Sequence, residues 1–122
     1  MRSSRARAPE SASAGLATRG LVSGGEPTPH AVEVLDAIAR IPVGKVMTYG
    51  DIAEYVGRGS GRTVGAIMSR HGHEVPWHRV VLSTGHPNPA GPVEALARLR
   101  ADGTPLLPDG DRVDLQAARW DG

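Results

Sequence analysis

Two short amphipathic segments separated by a glycine-bearing turn constrain this chain more than anything else in it. The first starts at Thr48, a hydroxyl N-cap with Asp51 three residues on, the spacing of a capping box. Ile52, Ala53 and Val56 supply its apolar side and Gly57 stops it. Gly59-Ser60-Gly61 makes a tight turn, and a further helix runs from about Gly61 to Arg70 with Val64, Ile67 and Met68 facing inward. Two helices joined this way form a helix-turn-helix. An earlier helix is predicted from Thr28-Pro29, a hydroxyl cap followed by proline at the first helical position, with Val32, Leu35, Ile38 and Ala39 on its inner face. Ile41-Pro42 ends it, and Pro42-Val43-Gly44 turns the chain. Another helix spans Pro92 to Asp102 and closes at Gly103. Leu106-Leu107, a Pro108-Asp109-Gly110 turn and Val113-Asp114-Leu115 suggest a small hairpin. The expected fold class is therefore mainly α: a winged-helix-like helix-turn-helix domain with a small C-terminal β-hairpin. Such modules often bind DNA, but a fold does not by itself establish a function.

One domain, residues 28–122, suits the length of 122 residues. Residues 1–27 are rich in Ser, Ala, Gly, Arg and Pro without lasting periodicity and read as a disordered or weakly ordered tail. Its four arginines are placed either to touch phosphates or to do nothing. No run of about 18 apolar residues indicates a membrane helix, and the Arg-rich start has no apolar core like that of a secretory signal. A cytoplasmic location is the default expectation. The net charge of +1 does not suggest a DNA binder, but its distribution is uneven. Residues 40–79 hold six basic residues against three acidic, and residues 80–122 hold four against six. That split permits a positive face without a positive total; ordinary surface scatter gives the same pattern. Cysteine is absent, which removes disulfides, thiolate metal ligands and any thiol nucleophile from consideration.

The stretch Val75-Pro76-Trp77-His78-Arg79-Val80-Val81 is a short rigid segment carrying one of only two tryptophans. Taken alone, Trp77 reads as a core residue and His78 as a structural histidine. His71, His73, His78 and His86 match no zinc spacing and have no carboxylate cluster to support them, so no metal or other cofactor is expected.

Taken together, the motifs resemble the O6-alkylguanine-DNA alkyltransferases, and more closely the alkyltransferase-like proteins. The resemblance rests on Ile41-Pro42, Gly44-Lys45-Val46 and Thr48-Tyr49-Gly50-Asp51-Ile52-Ala53, then Arg62, Val64-Gly65 and Ile67-Met68, then Pro76-Trp77-His78-Arg79-Val80. It continues through Arg98-Leu99 and Asp102-Gly103 to Trp120, covering about residues 28–122. Where the alkyltransferases carry Pro-Cys-His-Arg, this chain has Trp77 in place of the alkyl-accepting cysteine. Alkyl transfer needs a thiolate, a strong nucleophile near neutral pH, and an indole has no atom to replace it. The resemblance thus implies a non-enzymatic protein that binds O6-alkylguanine in DNA. It also implies a monomer that hands the unrepaired lesion to nucleotide excision repair.

The same resemblance assigns roles to residues. Arg62 would enter the base stack through the minor groove and fill the gap left by an everted nucleotide. Tyr49 would crowd the neighbouring phosphate. Ser60, Gly61 and Gly65 would let the helix backbone approach DNA, with Arg70 on the same helix. Trp77 would wall the lesion pocket, bordered by Val80 and Ser83, and the loop from Ser83 to Gly91 would cover it. His78 and Asp102 stand where the alkyltransferases activate the thiol and would keep a structural hydrogen bond at best. Ala90 stands where those enzymes place a base-contacting serine, and the asparagine they carry after the recognition helix maps loosely to His71. Plainer readings remain open: Arg62 as a surface charge, Tyr49 as a core residue, and the small residues as turn and helix packing. Two rival functions follow. A sequence-specific winged-helix regulator would need base-edge readers along the third helix, which offers only Arg62 and Arg70. A glycosylase would need a carboxylate or amine at the pocket, for which only Asp102 and Glu74 are available.

Overall fold

The computed structural model describes residues 26–122. The expectation of a disordered or weakly ordered tail over residues 1–27 therefore lies, apart from Glu26 and Pro27, outside the described residues. Helix α1 spans Pro29–Ala39, with Thr28 Oγ1 accepting from Ala31 N at 3.1 Å. Strand β1, Met47–Thr48, leads directly into α2, Tyr49–Val56. The expected capping box is formed: Thr48 N donates to Asp51 Oδ2 at 3.0 Å and Asp51 N donates to Thr48 Oγ1 at 3.1 Å. Such a cap stabilises a helix by about 1 kcal/mol. Gly57 ends α2 with φ of 91°, a left-handed conformation that favours glycine. Helix α3, Gly61–His71, is capped by Ser60, whose Oγ accepts from Thr63 N. Two tight helical turns follow, at Gly72–Glu74 and Trp77–Arg79, and then strand β2, Val80–Val81. Helix α4 is Pro92–Ala101 and the short α5 is Leu115–Ala118.

Helices α1, α2 and α3 pack on one another around Val34, Ile38, Ile41, Met47, Ile52, Val64 and Val80. The inner face of α1 differs from the one read from its sequence. Ala31, Val34, Ala37 and Ile38 are buried, whereas Val32 is half exposed and Ala39 exposed. Both faces satisfy helical spacing. The buried one carries two alanines, whose small side chains let α2 and α3 come close, and the larger Val32 is left outside.

Val46, Val81, Leu99, Val113 and Ala118 form a second cluster under α4. The expected C-terminal hairpin is present as its turn and one antiparallel bridge, Leu106 to Val113. Leu107 N donates to Arg112 O and Asp114 N to Pro105 O, Val113 N points outward to Gly85 O at 2.8 Å, and the Asp114 side chain then caps α5, which ends the hairpin. The chain's last described residues lie along β1: Val46 N donates to Ala118 O and Trp120 N donates to Val46 O. Trp120 also meets the Tyr55 ring at 5.9 Å, and Arg119 Nε donates to Asp51 Oδ2 at 2.9 Å.

Strands β1 and β2 pair in parallel, Met47 with Val80 and Thr48 with Val81. Each is two residues long, so neither leaves a sequence signal. Their pairing decides the position of the site, because both strands run toward the same place. Tyr49 and Gly50 follow β1, Leu82 and Ser83 follow β2, and all four line one cleft.

Candidate nucleic-acid interface

The cleft has a volume of about 990 Å³ and lies between one face of α3 and the loop after β2. Gly61, Gly65, Met68, Ser69 and Gly72 form the helix wall, and Leu82, Ser83, Asn88, Pro89 and Ala90 the loop wall. Tyr49 and Trp77 close the space between them. The loop from Ser83 to Gly91 borders the cleft, as its sequence position suggested. No carboxylate is among the residues lining it.

Trp77 is held from several sides. Its carbonyl accepts from Asn88 Nδ2 at 3.3 Å. The guanidinium of Arg98, on α4, lies 5.6 Å from the ring centroid, within cation–π range. Glu94 holds Arg98 at 2.6 Å one helical turn back. A methyl group at Gly91 would sit 3.3 Å from Trp77 Cη2, so the absent side chain makes room for the indole. The plainer reading of Trp77 as pure core does not hold, because the ring faces both the cleft and α4.

Tyr49 packs against the main core, as its plainer reading held, and also lines the cleft. Burial raises its phenol above the ordinary value of 10.0, and a hydrogen bond from Asn88 partly offsets this. The hydroxyl therefore stays neutral at physiological pH and remains able to donate to a phosphate. Gly61 is small because α2 is there: a Cβ would lie 3.3 Å from Tyr49 Cβ and 3.4 Å from Gly50 N. Gly65 also faces the Tyr49 ring, but a methyl there would be in ordinary contact at 3.7 Å. Helix packing thus explains Gly61 more directly than Gly65.

Arg62 is exposed on the first turn of α3 and has no ion-pair or hydrogen-bond partner among the described residues. Ser60 is exposed and caps α3 through its side chain. Two predicted site residues fall elsewhere. Val80 does not border the cleft; it is 0% exposed in the main core, because β-pairing with Met47 turns its side chain inward. Arg70 faces a separate groove with Pro27, Leu35, His71, His73, Glu74 and Val75. A step of about 100° per residue takes Arg70 off the face that carries Ser69.

His78 and Asp102 do come together. His78 Nε2 and Asp102 Oδ2 are 2.9 Å apart, and Arg79 Nε donates to the same oxygen at 2.9 Å. Arg79 also donates to Ile41 O at 3.0 Å. Partial burial opposes ionisation of Asp102, but the hydrogen bonds and charges of Arg79 and His78 outweigh it and hold the carboxyl below its usual range. His78 Nδ1 is buried without a partner. The shorter aspartate therefore still reaches the histidine, and the pair ties the Trp77 segment to the end of α4.

Sequence reasoning missed Asn88. It is 2% exposed, and its Nδ2 donates to Trp77 O and Val80 O while its Oδ1 accepts from Ala90 N. The only signal was its place between two prolines, Pro87-Asn88-Pro89, a setting for a rigid turn.

A helix-turn-helix beside a deep apolar cleft defines the class: the family model of the 6-O-methylguanine DNA methyltransferase DNA-binding domain matches residues 29–104. The DNA base-flipping protein of Escherichia coli is 39% identical over 92 residues, covering 71% of this chain and 70% of that protein. Alkyltransferase-like protein 1 of Schizosaccharomyces pombe is 54% identical over 57 residues, 43% of this chain and about half (52%) of that one. The crystal structure of S. pombe Atl1 in complex with damaged DNA containing O6-carboxymethylguanine superposes with a TM-score of 0.65 at 34% identity, covering 76% of this chain and 95% of that one. The chain belongs to the alkyltransferase-like protein family.

Proposed function

We propose that this chain binds duplex DNA containing O6-alkylguanine, turns the damaged nucleotide out into the cleft beside Trp77, and leaves it unrepaired. The observation that carries the reading is the apolar cleft itself, walled by an indole and a phenol and bordered by the N-terminal turn of α3. Its volume is at the upper end of the ~300–1,000 Å³ typical of small-molecule sites, which leaves room for a purine and its substituent. Everting a base costs a few kcal/mol, less where pairing is already weakened. An alkyl group on O6 weakens the pair with cytosine and so lowers that cost. Contact with an aromatic wall stabilises an everted base by about 1–3 kcal/mol. In this reading Arg62, exposed and without a partner among the described residues, fills the vacated stack, and Tyr49 meets the adjacent phosphate.

The chain has no cysteine, so a bound alkyl group meets no thiolate acceptor. The glycosylase alternative needs a carboxylate at the cleft. Asp102 is engaged by His78 and Arg79, and Glu74 is exposed beside His73. The regulator alternative predicts equal affinity for damaged and plain DNA of one sequence. An unrepaired, bound lesion requires a second machinery, and this reading includes handover to nucleotide excision repair proteins. Fluorescence anisotropy with paired duplexes differing only in the O6 substituent tests the core of it. Tighter binding of the O6-methylguanine duplex is expected, with no loss of the methyl group on prolonged incubation. Equal binding, or released base, overturns it.

A further inference from the structure

We infer that the cleft selects lesions by charge: it accepts uncharged O6 substituents and turns away anionic ones. This deepens the lesion-binding reading above and rests on it. Among the described residues, no Lys, Arg, Asp or Glu lines the cleft. Its surface comes chiefly from glycines, from Met68, Leu82, Pro89 and Ala90, and from the two aromatic rings. An ionised carboxylate moved from water into such surroundings loses far more hydration than a neutral amide of similar size, unless a cation meets it.

The cations around the cleft are committed elsewhere. Arg98 meets the Trp77 ring from α4 without lining the cleft, and Glu94 holds it at 2.6 Å. Arg79 is tied to Asp102 and to Ile41 O. Arg62 and Arg70, exposed on α3, are not among the lining residues, and Arg70 faces the other groove with His71. His73 does line the cleft, but its side chain is 76% exposed and its Nε2 lies 3.6 Å from Glu74 Oε2. Any charge that His73 takes up is met by Glu74 first.

Several neutral donors are committed as well. The Asn88 amide donates to Trp77 O and Val80 O, and the Ser69 hydroxyl to Ala66 O. The Tyr49 and Ser83 hydroxyls also line the cleft, but each offers one proton to a carboxylate that presents about four lone-pair sites and no donor. A carbamoyl group asks less of them, because its NH2 donates to the same hydroxyl oxygens and its one oxygen accepts from them. Size does not decide between the two, since a cleft of about 990 Å³ holds a purine carrying either group.

The test titrates the full-length protein, at one fixed salt concentration, against duplexes of one sequence carrying guanine, O6-methylguanine, O6-carbamoylmethylguanine or O6-carboxymethylguanine. The last two differ by an amide in place of an acid that is ionised at about pH 7.5. The carboxymethyl duplex is expected to bind about 10–100-fold more weakly than the carbamoylmethyl one. The methyl and carbamoylmethyl duplexes should both bind more tightly than plain DNA. Ala90 is exposed on the loop wall and bonds Asn88 through its main-chain amide, so a longer side chain fits there. Ala90→Lys supplies the missing cation and should narrow the gap to within about threefold, whereas the uncharged Ala90→Gln should keep it. Carboxymethyl and carbamoylmethyl duplexes bound alike by the wild type overturn the inference, as does a gap that Ala90→Lys leaves as wide as Ala90→Gln does. A carbamoylmethyl duplex that falls with the carboxymethyl one, while the methyl duplex stays tight, overturns it too, since polarity or size would then be read. If no modified duplex binds more tightly than plain DNA, the lesion reading itself has failed and takes this one with it.

Discussion

The two walls of the cleft are built by different means. The α3 wall is assembled from local rules: a capped turn, a glycine stop, and small residues where α2 comes close. The loop wall from Trp77 to Gly91 has one helical turn and the two-residue β2 and is otherwise irregular, held by polar side-chain bonds. Asp102 reaches it from 24 residues away through His78, and Asn88 fastens it to its own start through Trp77 O and Val80 O. The difference teaches where each wall is vulnerable. The helix wall is robust to changes in its exposed side chains, whereas the loop wall depends on two polar side chains, the buried Asn88 and the part-buried Asp102.

Removing those groups should give the largest effects. Asp102→Ala takes the shared acceptor from Arg79 Nε and His78 Nε2, leaving Arg79 only Ile41 O, and loss of one partner of such a part-buried pair destabilises by about 3 kcal/mol. Urea unfolding measures it, and a loss under 1 kcal/mol would mean that the loop wall does not depend on this junction. The same pair gives a pH signature. Asp102 titrates lower in the folded chain than the ordinary 3.8 of an unfolded aspartate, so its contribution is complete above that value. It disappears as the pH falls further, because the unfolded state takes up the proton first. Stability followed from pH 5 downward should therefore fall more steeply in the wild type than in Asp102→Asn, and parallel curves would contradict the assignment.

Asn88→Ala should cost about 1–3 kcal/mol, since the buried Val80 carbonyl loses this donor and Trp77 O keeps only the Val80 amide. It should also weaken lesion binding beyond what the stability loss explains, because the Trp77 wall is freed. On the other wall, Arg62→Ala should leave stability unchanged within about 0.5 kcal/mol. It should weaken binding to lesion DNA by about 1–3 kcal/mol. If Arg62→Ala unfolds the protein, the contrast between the walls is wrong. The smallest effect is expected for Arg98→Ala, about 0.5–1 kcal/mol for an exposed cation–π contact. Measured with Trp120→Phe as background, Trp77 fluorescence should become easier to quench with acrylamide, and unchanged quenching would show that α4 does not hold the indole.

The same contrast explains what the sequence disclosed. Helices α2 and α3 were legible because Thr48, Asp51, Gly57 and Ser60 carry their boundaries within a few residues. For α1 the ends were legible but the face was not, since Ala31 and Ala37 compete with Val32 and Ala39 on equal spacing. Trp77 and Ser83 could be placed at the pocket because short motifs carried the resemblance; Tyr49, Gly61 and Gly65, read as facing DNA, line the same cleft. Val80 was misplaced at the pocket border for want of a backbone, since its inward turn depends on a two-residue parallel strand; which groove Arg70 lines depends on helical phase. Asn88 was invisible because its partners are main-chain carbonyls, which sequence does not mark.

One brace has a practical bearing on handling this protein. A single carboxylate oxygen, Asp51 Oδ2, receives both the Thr48 amide at the head of α2 and Arg119 near the far end of the chain. Trimming the chain back to Ala118 would therefore loosen the helix that presents Tyr49. A variant shortened there that binds DNA less well would be reporting a slackened α2, with every residue of the cleft still present.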